Sequence, residues 1–198
     1  MHKTTITNRQ FALFDPYHAQ RFNNYAQYGA EPRCPAIYVN WHMAKLFCRW
    51  LTGTQTELRY DLPTEAQWEY ACRAGTTTPW SWGTEAEFQK HAWYAENAEG
   101  RTHPVATSPS GLKAEPNKFG LYDMHGNVWE WCRDGKREYS LEPQRNPVGP
   151  EDQDSRVLRG GSVWYYTRYY RSAYRYGNPP TVSYYDAGFR VCVAAPQD

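Results

Sequence analysis

Residues 119–131 read Phe119-Gly-Leu-Tyr-Asp-Met-His-Gly-Asn-Val-Trp-Glu-Trp131. From Asn127 to Cys132 the side chains alternate with a period of two, which is typical of a strand and places two tryptophans on one face. Gly126, directly before this run, indicates a backbone turn that a side chain would disfavour. The stretch therefore predicts a strand over Asn127–Cys132 with a buried tryptophan face, and a brief strand before it at Gly120–Asp123.

Two other segments have helical spacing. Between Trp41 and Leu51 apolar residues recur every three or four positions, and Gly53 follows as a stop signal. The quartet Thr64-Glu-Ala-Gln67 has the form of a capping box ahead of an amphipathic stretch that Gly75 closes. We therefore expect two helices of about three turns each, with a shorter helix over residues 8–14.

The rest of the chain has weaker patterns. Residues 75–116 have little periodicity and predict a long loop, which is either functional or packed by its own side chains. Brief strands are predicted at Val157–Leu158 and Gly188–Val193, and an exposed loop at Gly135–Ser155. Early helices and late, small strands indicate an α+β class, and 198 residues with 40% apolar content suit one domain over residues 1–198.

Charge and cysteine content exclude several classes of partner. Lys and Arg number 22 against 21 Asp and Glu, a net charge of +1, so neither nucleic acid nor an anionic membrane is an expected partner. The five cysteines are widely spaced, odd in number and form no CxxC pair, which favours a reduced compartment over a disulfide framework or zinc site.

The sequence shows no sign of a signal peptide or a membrane-spanning helix, because its N-terminus is polar and it lacks an apolar run of about 20 residues. We expect a cytoplasmic protein unless export or a virion carries it by another route.

Tyrosine is concentrated near the C-terminus. Eight of the seventeen tyrosines lie between Tyr165 and Tyr185. Tyrosine supplies a large contact area with only two torsions to order, and its hydroxyl needs a partner wherever it is buried. Eight such residues exceed what a small core can satisfy, so several are expected at the surface, where clustered aromatic residues mark interaction sites. Interleaved arginines add stacking and charge-assisted hydrogen bonds: Arg168, Arg171 and Arg175.

Four phrases occur in order along the chain: Leu62–Gly75, Phe119–Trp131, Arg-Val-Leu-Arg-Gly-Gly-Ser at 156–162, and Gly-Phe-Arg-Val at 188–191. Together they resemble the formylglycine-generating-enzyme (sulfatase-modifying factor) superfamily over residues 7–193. The resemblance implies a variant of the C-type lectin fold, in which short helices pack on small mixed sheets with much irregular loop.

The enzymes of that superfamily imply a catalytic alternative. Oxidases of the formylglycine-generating type carry two cysteines between the Arg-Gly-Gly-Ser phrase and the following arginine, because thiolates bind the copper ion and react. Here the interval reads Val163-Trp-Tyr-Tyr-Thr-Arg-Tyr-Tyr-Arg171 and has no cysteine. The related iron-dependent sulfoxide synthases use histidines of an additional helical domain, which we do not expect in a chain of this length. A metal-dependent oxidase relative stays open only with chemistry on residues that the sequence does not reveal.

The same segment resembles the variable proteins of diversity-generating retroelements, in which adenine-directed mutagenesis of asparagine codons often yields Tyr, Asn, Ser, Asp or Gly. This resemblance implies a non-enzymatic, receptor-like protein whose diversified segment, here about 156–191, binds varied protein or other macromolecular ligands. The implied fixed scaffold is Arg171, Ser172, Ala173 and Arg175. The implied ligand-binding positions are Trp164, Tyr165, Tyr166, Arg168, Tyr169, Tyr170, Tyr174, Tyr176, Asn178, Ser183, Tyr184 and Tyr185. Of these, we expect Trp164 and one or two tyrosines to pack into the core.

Oxygen-bearing residues leave a further alternative. Asn127 and Glu130, together with Asp123, carry the donors that calcium prefers, so a structural calcium ion or a calcium-dependent glycan lectin stays open beside a hydrogen-bonded turn. No other cofactor is expected. The histidines share no spacing with a nearby acid or serine and are interpreted as surface or packing residues: His42, His91, His103 and His125.

The start of the chain suggests self-association. Superfamily members usually carry a further strand and loop before the position of Thr7, and six residues precede it here. The resemblance thus implies a shortened sheet edge. Because an exposed edge favours pairing with another chain, we expect a tendency to form homo-oligomers.

Overall fold

The structure is a computed structural model that describes residues 1–54, 57–109, 114–150 and 152–194. The described residues form five α-helices: α1 Asn8–Phe11, α2 Tyr25–Gly29, α3 Trp41–Gly53, α4 Glu65–Arg73 and α5 Phe88–His91. Short 3₁₀ segments lie at His18–Arg21, Glu85–Glu87 and Thr167–Tyr170. In this part of the chain no helix combines the length and the apolar character needed to cross a membrane.

The strands are short and form two sheets. They are β1 Tyr60–Asp61, β2 Trp129–Gly135, β3 Arg156–Arg159, β4 Tyr176–Asn178, β5 Ala187–Gly188 and β6 Cys192–Val193. The larger sheet has the order β4-β3-β2-β5, in which β5 runs parallel to β2 and the other pairs are antiparallel. Strands β1 and β6 form a separate antiparallel pair. The predicted α+β class, with short helices and small mixed sheets, is confirmed.

The local signals at the helix ends are confirmed. The Thr64 hydroxyl accepts from the Gln67 N–H at 3.1 Å, and the Gln67 side chain accepts from the Thr64 N–H at 2.9 Å, so the capping box is complete. Helix α4 ends where Ala74 adopts a left-handed conformation at φ 45°. Helix α3 begins where the Asn40 side chain accepts from the Met43 N–H and ends at the glycine predicted to stop it.

Two predicted strands are wrong as stated. Residues 120–123 form no strand, because their amide groups are satisfied elsewhere: the Asn117 side chain accepts from Leu121 N–H, and the Lys3 carbonyl accepts from Tyr122 N–H. The predicted strand at 188–193 divides between β5 and β6. Two carbonyl groups between these strands accept hydrogen bonds from the N-terminal segment. The Ile6 N–H donates to the Phe189 carbonyl at 2.9 Å, and the His2 N–H donates to the Val191 carbonyl at 2.7 Å. Residues 2–6 therefore lie along this part of the C-terminal segment.

Strand β2 lies at the centre of the core. Its Trp129 and Trp131 are buried against Phe47 and Phe189, which confirms the predicted tryptophan face. The opposite face is buried as well, because α4 covers it with Trp68. This two-sided burial makes β2 a rigid support for the segment that follows β3.

Candidate functional site

The Arg-Gly-Gly-Ser turn directs the chain from β3 to the surface. Gly160 and Gly161 have φ values of +97° and +82°, a left-handed conformation that L side chains rarely adopt. A Cβ on Gly161 would lie 2.8 Å from the ring of Tyr170. The missing side chain therefore creates both the turn and the space that this ring fills.

The predicted ligand-binding positions differ in exposure. Trp164 is 41% exposed, Tyr166 60% and Tyr184 41%. Five further rings are half-buried: Tyr165, Tyr169, Tyr174, Tyr176 and Tyr185. We call these eight residues the aromatic face. The expectation that Trp164 packs into the core is wrong, since its indole is one of the more exposed rings.

Tyr170 is a core residue and not a surface contact. It is fully buried, and its ring packs edge-on against Phe88 at 5.2 Å. The hydroxyl donates to the carbonyl oxygens of Ser162 and Tyr165, and burial raises the pKa of the phenol. The prediction that Tyr170 contacts a ligand is therefore wrong. Tyr170 is instead one of the one or two tyrosines that were expected to pack into the core.

Ring contacts hold the aromatic face together. The ring centroid of Trp129 lies 5.3 Å from that of Tyr165 in an edge-on contact and 5.4 Å from that of Tyr176 in a stacked contact. Further out, Arg168 lies over the Tyr169 ring at 4.7 Å and donates to its hydroxyl at 2.7 Å. Burial raises the pKa of Tyr165 to about 12, so its hydroxyl stays neutral.

Two tyrosines from the N-terminal half extend this surface, and the sequence interpretation missed both. Tyr28 stacks on Tyr185 at 4.6 Å and lies 5.9 Å from Trp164. Tyr38 has a left-handed backbone (φ 56°) and donates its N–H to the Tyr184 carbonyl at 2.8 Å. The signal available in the sequence was the clustering of tyrosines over residues 25–38, a stretch without strand or helix periodicity.

A cavity of about 300 Å³ opens on the aromatic face. Six predicted positions line it: Trp164, Tyr165, Tyr176, Asn178, Tyr184 and Tyr185. The remaining lining residues are Trp129, Leu158, Asp186 and Ala187. Asp186 is buried and accepts from the Ser162 hydroxyl at 2.6 Å, and burial raises the pKa of its carboxyl. Tyr166, Arg168, Tyr169, Tyr174 and Ser183 lie outside this lining.

The residues implied as scaffold are only partly buried. Ser172 is fully buried and donates its N–H to the Pro79 carbonyl at 2.7 Å. Arg175 makes a two-point ion pair with Glu65, at 2.6 and 2.8 Å. Arg171 and Ala173 are exposed instead, and their place in the fixed scaffold stays a prediction. Arg171 still donates to the Arg168 carbonyl at 3.0 Å and stabilises the local turn.

The oxygen atoms considered for calcium already have protein donors. Glu130 accepts from Trp68 Nε1 and from the guanidinium of Arg190 through both carboxylate oxygens. Asn127 makes two hydrogen bonds with the backbone of His103. In the described ranges, no three Cys, His, Asp or Glu side chains are grouped so that they could hold a metal ion. The geometry favours the hydrogen-bonded alternative at these two residues.

The cysteines do not fit a copper centre of the kind the superfamily implies. All five lie in the described residues, and all are buried as free thiols. Burial raises the pKa of Cys34 and Cys192 to about 11 and that of Cys72 to about 12, which opposes thiolate formation. Since they are dispersed over separate elements and none lies at 163–168, they supply no pair of thiolates for a copper ion at this segment.

The histidines divide between surface and packing, as predicted. His42 is exposed, and His91 stacks on Trp82 at 4.8 Å. His103 stacks on Trp93 at 3.6 Å, and its ring nitrogen contacts the Ala98 carbonyl. His125 is buried, and burial lowers its pKa to about 4.

Comparison with known proteins assigns this architecture to a family. Residues 1–195 match the family described as "Sulfatase-modifying factor enzyme 1-like domain". The chain belongs to this family. The formylglycine-generating enzyme of Streptomyces coelicolor is 37% identical over 173 residues, which are 81% of this chain and 52% of that protein. The chain spans about half the length of the curated relatives it matches.

Solved structures confirm the fold of this family member. Treponema denticola variable protein 1 superimposes with a TM-score of 0.82 and 28% identity, over 96% of this chain and 82% of that one. PvdO from Pseudomonas aeruginosa superimposes with a TM-score of 0.73 and 32% identity, over 83% of this chain and 64% of that one. The relatives of this chain thus include enzymes and a variable protein, and the superfamily resemblance of the sequence is confirmed.

Proposed function

We propose that this chain is a non-enzymatic, receptor-like protein that binds protein or other macromolecular ligands through the aromatic face. The observation that carries the proposal is the cavity, because six of the twelve positions expected to bind ligand line it together. Exposed tyrosine and tryptophan around a concave site are the composition of binding hot spots. The likeness to a variable protein supports the same role.

We further propose that a retroelement diversifies this segment. Support comes from the difference in burial along it: Ser162, Ser172 and Arg190 are fully buried, whereas Trp164, Tyr166 and Tyr184 are 41–60% exposed. The DNA beside the gene tests this part. We expect a near-copy of the sequence coding for residues 156–191, differing only at adenines and next to a reverse-transcriptase gene. A genomic neighbourhood without either would overturn diversification but leave ligand binding intact.

Ligand binding is tested by selection from a phage-displayed peptide library. The triple variant Trp164→Ser, Tyr166→Ser, Tyr184→Ser removes the most exposed rings of the face and is expected to lose the peptides that the wild type enriches. Its melting temperature should stay near that of the wild type, because these side chains are 41–60% exposed. Unfolding of the variant would instead make these rings part of the core.

The matched control removes exposed tyrosines elsewhere. Tyr17 and Tyr70 are 64% and 70% exposed and lie outside the face, so Tyr17→Ser, Tyr70→Ser should keep every selected peptide. Equal loss in both variants would show nonspecific aromatic adhesion and contradict a defined site. A glycan array with and without chelator covers the calcium-dependent lectin alternative, for which binding must disappear when calcium is removed.

Membership in a family with enzymes favours one competing function, a metal-dependent oxidase. Incubation with copper and a cysteine-containing sulfatase peptide, followed by mass spectrometry, tests it. We expect unchanged peptide, since the buried thiols of this chain are held in the protonated form. Turnover to formylglycine would overturn the non-enzymatic proposal.

A further inference from the structure

The cavity on the aromatic face combines many rings with one acid. Six of its ten lining residues are aromatic: Trp129, Trp164, Tyr165, Tyr176, Tyr184 and Tyr185. Asp186 is the one residue in the lining with an ionisable carboxyl group, and the lining contains no lysine, arginine or histidine. We call this arrangement the aromatic cage. Its volume of about 300 Å³ is at the lower end of ligand pockets, so it suits a single side chain or head group.

Asp186 is held in place by its neighbours. Its carbonyl accepts from the Trp129 N–H at 2.8 Å, just before β5 pairs with β2. Its Oδ2 accepts from the buried Ser162 hydroxyl at 2.6 Å. These contacts fix the carboxyl at the cavity without neutralising it, because no basic side chain of the described residues pairs with it.

Such a site has a clear electrostatic preference. The face of an aromatic ring is the negative pole of its quadrupole, and tryptophan and tyrosine attract cations most strongly when several rings surround the charge. A carboxylate of low exposure adds attraction that water screens poorly. An anion would be repelled by both the ring faces and Asp186, and a neutral group would leave the carboxylate without a counter-charge.

We propose that the aromatic cage binds one alkylammonium group, such as the side chain of a lysine or methylated lysine carried by the ligand. This deepens the proposed function and rests on it for the identity of the carrier as a macromolecule. Trp129 lies before the segment proposed to vary, and Asp186 is not among the predicted ligand-binding positions, so in this proposal the two form the floor of the cage. Replacement of the tyrosine walls then changes fit and affinity while the preference for a cation persists.

The test compares two small probes of nearly the same shape by isothermal titration at pH 8. Choline carries a trimethylammonium charge, whereas 3,3-dimethylbutan-1-ol replaces the charged nitrogen by carbon. The cage is expected to bind choline at least about tenfold more tightly, the difference that a cation–π site confers. Equal affinity for the two probes, or no choline binding at millimolar concentration, overturns the proposal.

Variants separate the two components of the cage. Asp186→Asn keeps an acceptor for the Ser162 hydroxyl and should weaken choline about tenfold without changing the affinity of the neutral probe. Tyr184→Phe keeps the ring face and should retain choline, whereas Tyr184→Leu should weaken it. Tyr70→Leu is the control, because Tyr70 is exposed on α4 and outside the cage. Loss of choline in the Tyr70 control, or equal effects of Phe and Leu at residue 184, would contradict a cation–π site.

The outcomes distinguish this inference from the proposed function. Choline binding without any peptide selected from the library supports the cage and overturns the macromolecular role. Selected peptides whose binding is unaffected by excess choline support the role and overturn the cage. Enrichment of lysine in the selected peptides, with loss on acetylation of that lysine, supports both.

Discussion

Arg190 and Glu130 form a buried two-point ion pair, with Nε to Oε2 at 2.6 Å and Nη2 to Oε1 at 2.7 Å. Both side chains are almost completely inaccessible to solvent. Trp68 Nε1 donates to the same carboxylate at 2.6 Å. The pair joins the end of the C-terminal segment to β2 and involves no residue of the aromatic face.

Removing one charge of this pair should be severely destabilising. Glu130→Gln removes the carboxylate that the buried Arg190 guanidinium binds directly, and we expect the free energy of unfolding to fall by about 3–5 kcal/mol. Urea denaturation followed by tryptophan fluorescence measures it. The control Asp15→Asn breaks the solvent-facing pair with Arg21 and should change stability little. Similar effects of the two variants would contradict the role of burial.

Tyr170 and Tyr166 should respond differently to loss of their hydroxyls. Tyr170→Phe removes one hydrogen bond to the buried Ser162 carbonyl, which keeps the Tyr165 N–H as its other donor, so we expect about 1 kcal/mol of destabilisation. Tyr166→Phe, at a 60% exposed position, should be neutral. Thermal denaturation of both variants checks this, and a neutral Tyr170→Phe would show that the hydroxyl is dispensable.

The contrast between these tyrosines shows where sequence reasoning stops. The capping box of α4 could be predicted because Thr64 and Gln67 are three residues apart and satisfy each other locally. Burial of Tyr170 could not, since it depends on the space left by Gly161 and on Phe88, a residue far away along the chain. The same applies to Tyr28, whose stacking on Tyr185 brings together distant parts of the chain.

The failed strand at 120–123 has the same cause. Its amide groups find partners in the Asn117 side chain and in Lys3, a residue near the start of the chain. Alternation of residues reports the tendency to extend, while pairing decides whether a strand exists. The aromatic face was predictable as a composition, but its cavity required the three-dimensional arrangement of β2, β4 and the loop before β5.

The double glycine should be needed for packing as well as for backbone conformation. Gly161→Ala adds a Cβ that would lie 2.8 Å from the Tyr170 ring, in addition to strain at φ +82°. Gly75→Ala has a comparable φ of +89° but meets no atom within 4 Å. We expect about 1 kcal/mol of destabilisation at residue 75, from strain alone, and a clearly larger loss at residue 161. If urea denaturation shows the same loss of stability for both variants, the contact between the new Cβ and the Tyr170 ring does not contribute.

His125 should make the protein sensitive to acid. Its Nδ1–H donates to the Tyr170 carbonyl at 2.6 Å, and Nε2 accepts from the Ser81 N–H at 3.2 Å. The ring is therefore held in the neutral form, and burial lowers its pKa to about 4, with smaller contributions in the same direction from His91 and Arg73.

The unfolded chain binds the proton of this histidine more readily than the folded chain. Its contribution to stability is complete above about pH 6.5 and is lost as the pH falls toward 4, by roughly 3 kcal/mol over that window. Burial raises the pKa of Asp123 to about 6, so this carboxyl adds stability as the pH falls, opposite to His125. The contribution of His125 must therefore be measured as the difference in stability between the wild type and a His125 variant. We expect the stability advantage of the wild type over His125→Asn, determined by urea denaturation, to shrink between about pH 7 and pH 4, whereas the exposed His42→Asn shows no such trend. A constant advantage across this range would mean that His125 becomes protonated in the folded state without penalty, and that its contacts with Tyr170 and Ser81 do not require the neutral ring.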